Sequence, residues 1–144
     1  MGAGLTLISF AGKQKNFKQT GMARLDTCDL MDLVGCVDNR RDEPEDVSFA
    51  WIEPVDNDDN WMLEQVVAEK DLFSPDEILV SLDWIQKLVD AGDSAIRDAC
   101  AAQSREPYTL AVFQKHFGYD INQIRTLCTQ AKARGDRIAT FAVP

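Results

Sequence analysis

The chain has 144 residues, 45% of them apolar and 27% charged. That composition argues against intrinsic disorder, and the length suffices for a core without disulfide or metal staples. The net charge of −9 is uneven: residues 1–41 carry six basic and four acidic groups, residues 42–98 three and seventeen, and residues 99–144 six and three. A uniformly acidic chain would exclude nucleic acid as a ligand, whereas an acidic middle between mildly basic ends leaves the C-terminal third free to meet it.

Four cysteines, Cys28, Cys36, Cys100 and Cys128, and one histidine, His116, are scattered without the close spacing of a zinc site. They read as reduced, mostly buried thiols of a cytoplasmic protein. The start lacks a basic, then apolar, secretory leader, and no apolar run reaches a membrane span, so no membrane partner is expected. Met1 to Thr6 fits the short myristoylation pattern, but Leu5–Phe10 reads as a strand that must be buried.

In chain order, the β-rich run Leu5–Phe10 predicts a strand, followed by a polar loop with Lys13, Lys15 and Lys18. A helical pattern spans Gly21 to Val34, with Met22, Leu25, Leu30, Leu33 and Val34 on one face and Gly35 as its stop. Val47–Glu53 alternates, placing Val47, Phe49 and Trp51 on one side of a second strand that ends at Pro54. Asp56, Asp58 and Asn60 match the first ligands of a calcium loop. Trp61 then stands where that loop needs glycine, and Val67 where it needs a bidentate glutamate, so the segment reads as a polar turn. Trp61–Lys70 fits strand or helix by period, and the helix formers Gln65, Ala68, Glu69 and Lys70 favour helix.

Ser74-Pro75-Asp76-Glu77 is a helix start with a cap, a first-turn proline and a glutamate three residues on. Ile78, Leu79, Leu82, Ile85, Leu88 and Val89 follow at helical spacing until Gly92. Asp93 or Ser94 caps another helix, from Ala95 to about Gln103. The fold class expected is α+β, mainly helical, with a small β element at Leu5–Phe10 and Val47–Glu53. It divides into a mixed part (1–72) and a helical part (73–144) within one compact domain.

In Leu110–Val143, Phe113 and Phe117 line a first helix and Gly118 permits a sharp turn. Asp120 caps a second helix, Tyr119, Ile121, Ile124, Leu127 and Ala131 continue the inward side, and Gly135-Asp136 turns into a strand, Arg137–Val143. With Ala95–Gln103 in front, this order resembles the winged helix-turn-helix superfamily over Ala95–Val143. Gln114 stands where the inter-helix contact of that unit usually has Ala or Gly. The resemblance implies a DNA-reading face of Asn122, Gln123, Arg125, Thr126, Thr129, Gln130 and Lys132, with Lys115, Lys132, Arg134 and Arg137 on phosphates.

Two functions follow as expectations. In the first, the chain is a non-enzymatic regulator or inhibitor whose acidic face meets a basic protein, including one whose DNA site it occupies as a mimic. That face comprises Asp42, Glu43, Glu45, Asp46, Asp56, Asp58, Asp59, Asp76, Asp83 and Asp90. Small, acidic, motif-poor chains of this kind are similar in character to phage and mobile-element regulators. In the second, the chain is a DNA-binding transcriptional regulator acting through its C-terminal unit. No phosphate loop, nucleophile motif or metal-ligand cluster is present, so neither an enzymatic activity nor a cofactor is expected.

Overall fold

The computed structural model describes residues 4–13, 16–25, 48–56, 62–92, 97–98 and 109–143. They form an α+β fold in which a three-stranded antiparallel sheet, in the order β2-β1-β3, packs against two long helices. The strands are β1 (Gly4–Ala11), β2 (Lys18–Arg24) and β3 (Arg137–Val143). Between β2 and β3 come a 3₁₀ turn (Ala50–Ile52), the single turn α1 (Leu63–Val66), a second 3₁₀ turn (Glu69–Asp71), α2 (Pro75–Ala91) and α3 (Leu110–Arg134).

The first expected strand is the centre of the molecule. Every residue from Leu5 to Phe10 is buried, because both faces of β1 are covered. Leu5 and Leu7 join Ala23, Leu25 and Ile138 against the helices, where Ile78, Leu82, Ile85 and Val89 of α2 meet Phe113, Phe117, Ile121, Ile124 and Leu127 of α3. On the opposite face Ile8 and Phe10 join Phe17, Ala139 and Phe141 under Val67, with Val55, Leu63 and Leu72 closing the edge. β1 pairs with β2 beside it in sequence and with β3 at the far end of the chain, so residues 4–24 and 137–143 share one sheet. The outer edge of β3 is covered: the Val55 N–H donates to the Thr140 carbonyl, and Phe73 exchanges backbone hydrogen bonds with Ile138.

The helix start at Ser74 is as expected. Its Oγ accepts the Glu77 N–H at 3.3 Å, Pro75 lies in the first turn, and α2 ends at Gly92 in the left-handed region with φ of 62°. Leu63–Val66 is helical, and the turn stops where Val67 enters the second core. Val67 is therefore unable to serve as a twelfth calcium ligand.

Three expectations are corrected. Gly21–Arg24, expected to open a helix, belongs to β2: Ala23 and Leu25 are buried while Met22 and Arg24 are exposed, a period of two. The remainder of that helix, and Val47, lie outside the described residues, as does Ala95–Gln103 except for Arg97 and Asp98. Ala50–Ile52 is a 3₁₀ turn rather than a strand: the Ile52 N–H donates to the Phe49 carbonyl and the Glu53 N–H to the Ala50 carbonyl, three residues back, with Trp51 and Ile52 buried. Trp51 is pinned there: its Nε1 donates to Ser81 Oγ at 2.6 Å, and its carbonyl accepts from Thr140 Oγ1 at 2.5 Å.

The third correction concerns Gly118. No turn forms there, and α3 is one helix of 25 residues. Phe113, Phe117, Ile121, Ile124, Leu127, Cys128 and Ala131 make an unbroken buried stripe past the glycine, which sits on the flank. A helix-interior glycine costs about 1 kcal/mol against alanine, far less than the burial of that stripe contributes. Asp120, expected as a cap, is instead fully buried in the middle of α3.

Candidate macromolecular interaction surface

The two candidate faces meet along the seam between α2 and α3. Asp76, Asp83 and Asp90 recur every seven residues, so they stand two turns apart on one exposed stripe of α2. Arg125 and Lys132 have the same spacing on α3. The helices run antiparallel, so Arg125 Nη1 reaches Asp83 Oδ1 at 2.8 Å and Lys132 Nζ reaches Asp76 Oδ1 at 2.8 Å. The position opposite Asp90 in this register is Gly118, and Asp90 instead accepts from Gln86 Nε2 at 2.9 Å. Gln114 holds the same end of the seam. Its Nε2 donates to the carbonyls of Val89 and Asp90 at 3.3 and 3.2 Å, occupying acceptors that the end of α2 leaves open.

Two further basic candidates are paired. Arg137 Nη1 bonds Glu69 Oε2, which raises the already high guanidinium pKa. Arg134 Nε donates to Asp136 Oδ2 at 3.0 Å. Asp136 is 5% exposed and also accepts from Thr20 Oγ1 at 2.7 Å. That bond uses the only Thr20 hydroxyl proton, so the 2.8 Å contact between Ser9 and Thr20 has Ser9 Oγ as donor. Thr20 is the residue skipped where the β1–β2 register shifts, so Ser9, Thr20, Asp136 and Arg134 clamp that bulge to the turn between α3 and β3. Ser9 is fully buried, which makes this network a fastening rather than a nucleophilic site.

The neutral candidates lie along α3: Asn122, Thr126, Thr129 and Gln130 are exposed and Gln123 is half-buried. The Thr126 hydroxyl is turned back onto the Asn122 carbonyl at 2.9 Å. Lys115 lies apart, lining a shallow apolar groove of about 340 Å³ with Val112, His116 and Tyr119. Of the acidic candidates, Asp56 is exposed beside a polar cavity of about 330 Å³ lined by Glu53, Lys70, Asp71 and Phe73 among others. Asp42, Glu43, Glu45, Asp46, Asp58 and Asp59 lie outside the described residues.

A smaller groove opens beside the first turns of α2. It has a volume of about 280 Å³ and is lined by Ser48, Asp76, Glu77 and Val80. Val80 is 52% exposed, and one turn further on the Trp84 ring stacks edge-on with Phe49, centroids 5.8 Å apart. Sequence reasoning missed this groove because Val80 falls outside the helix's apolar stripe. It also missed Ser81 and Thr140, which hold Trp51 from distant segments.

Among the described residues, no group of three or more potential ligands is placed to hold a metal ion, and no helix is long and apolar enough to cross a membrane. No protein-family model, curated protein or solved structure matches the chain.

Proposed function

We propose that this chain is a non-enzymatic interaction protein, a regulator or inhibitor that meets a basic protein surface through carboxylates. One observation carries the choice over DNA reading. Of the five basic candidates, four are paired within the chain, Arg125 with Asp83, Lys132 with Asp76, Arg134 with Asp136 and Arg137 with Glu69, and Lys115 lies apart from them. The described residues hold twelve carboxylates and eleven basic groups, so taken together they are nearly neutral. The surplus that makes the chain acidic belongs to residues 26–47, with eight acidic and two basic groups, and 57–61, with two acidic groups.

On this reading Asp42, Glu43, Glu45, Asp46, Asp56, Asp58 and Asp59 supply the field that steers a basic partner, including one that handles nucleic acid. On α2 the exposed stripe Asp76, Asp83 and Asp90 adds further carboxylates, the first two shared with Lys132 and Arg125. The test is competition: the chain is titrated into a complex of a short fluorescent duplex with protamine. Release of free duplex, weakening as salt rises, is expected. A stable complex between the chain and the duplex itself would replace this reading with the DNA-binding one.

A further inference from the structure

The groove beside the first turns of α2 combines an apolar floor with an acidic end. Asp76 and Glu77 lie four and three residues before Val80, so both carboxylates stand over the same stretch of helix as the exposed valine. Ser48 forms the opposite wall, its Oγ accepting the Ala50 N–H at 3.3 Å. The volume of about 280 Å³ lies just below the range of small-molecule pockets and suits one long side chain. Arginine and lysine are the side chains that pair a long apolar stem with a cationic tip.

A second observation shows that the acidic end accepts a cation. In the free chain Asp76 Oδ1 already holds an ammonium, that of Lys132, at 2.8 Å, with both side chains about two-thirds exposed. Such a pair is weak and exchangeable. The N-terminus of α2 contributes about half a positive charge, which the two full carboxylates outweigh. The Glu77 N–H is itself capped by Ser74.

We propose that this groove receives an arginine or lysine side chain of a basic partner, its stem on Val80 and its cationic tip between Glu77 and Asp76. Lys132 acts as an internal competitor that the partner's cation displaces. The inference rests on the proposed carboxylate-mediated contact with a basic protein and names where one side chain of that partner enters.

The probe is a capped hexapeptide, Gly-Leu-Arg-Arg-Leu-Gly, beside its citrulline counterpart, which keeps the shape and lacks the charge. Binding to the full chain is followed by the ¹H–¹⁵N spectrum. The arginine peptide should shift the Trp84 indole signal and leave that of buried Trp51 in place, and the citrulline peptide should shift neither. Glu77→Gln and Val80→Ser should each weaken binding by about 3-fold, and Lys132→Ala should tighten it by about 2-fold. Asp98→Asn removes the same charge as Glu77→Gln. It follows Arg97, whose Nε donates to the Gly92 carbonyl at the far end of α2, and it should change nothing.

Equal weakening by Glu77→Gln and Asp98→Asn, or no gain from Lys132→Ala, would overturn the groove while leaving the carboxylate contact standing. Absence of binding by the peptide together with failure of the protamine competition would remove both. Thermal melts of the variants separate a lost groove from a lost fold.

Discussion

Gly118 and Gly92 look alike in the sequence, each following a helical apolar run, and the structure gives them opposite roles. A Cβ at Gly118 would meet nothing within 4 Å, and the residue has ordinary helical geometry. Gly118→Ala should therefore stabilise the chain by about 0.5–1 kcal/mol in urea denaturation. Gly92 has φ of 62°, and a Cβ there would come within 2.3 Å of Leu110 Cδ1, so Gly92→Ala should destabilise by more than about 1 kcal/mol. Equal effects at the two positions would contradict the continuous helix. Cys128 makes a second residue-scale test. Burial pushes its thiol up to about 12, only partly opposed by the Arg125 charge, against an ordinary 9.0. The folded state thus favours the protonated thiol. That contribution is fully present below pH 9 and is lost as the pH rises from 9 towards 12, by about 1.4 kcal/mol per pH unit at most. Cys128→Ala should flatten the alkaline limb of the stability curve relative to wild type. Native alkylation mapped by mass spectrometry should leave Cys128 unmodified at pH 8.

Among the elements, the seam between α2 and α3 is held by its apolar stripe and not by its ion pairs. Asp83 is largely exposed and Arg125 half-buried, so a double-mutant cycle on them should give a coupling below about 1 kcal/mol that shrinks with salt. Phe117 is fully buried and packs edge-on against Phe113 at 5.1 Å, so Phe117→Ala should cost about 3–5 kcal/mol in equilibrium unfolding. Gln114→Ala strips two carbonyls of their donor and should cost about 1 kcal/mol. Much of this was legible in the sequence: the strand at Leu5–Phe10, the capped start at Ser74, the stop at Gly92, and the stripe from Phe113 to Ala131. Gly118 misled because local turn propensity was weighed above an apolar period that ran straight through it. Ala50–Ile52 misled because Trp51 is placed by Ser81 and Thr140, partners 30 and 89 residues away in the chain. The cross-helix pairs had a readable signal, acids seven apart on one helix and bases seven apart on the other, and the antiparallel packing then decides that Arg125 meets Asp83 and Lys132 meets Asp76.

For the whole molecule, charge is divided between a nearly neutral frame and acidic stretches in residues 26–61. Within that frame Arg125, Lys132, Arg134 and Arg137 each face a carboxylate of the same chain. Of the acidic candidates along 42–59, only Asp56 lies within the described residues. The groove at Val80 was not legible in the sequence, since an exposed valine on a helix carries no signal until its neighbours from residue 48 are in place. The most direct measurement is anisotropy of the labelled chain against protamine and against random duplex, with two charge-matched variants beside wild type. Binding to protamine should fall about 10-fold when Asp42→Asn is combined with Glu43→Gln, and less than about 2-fold when Glu64→Gln is combined with Asp98→Asn, with no binding to duplex at micromolar chain. Equal losses in the two variants, or duplex binding that Arg125→Ala abolishes, would contradict the account.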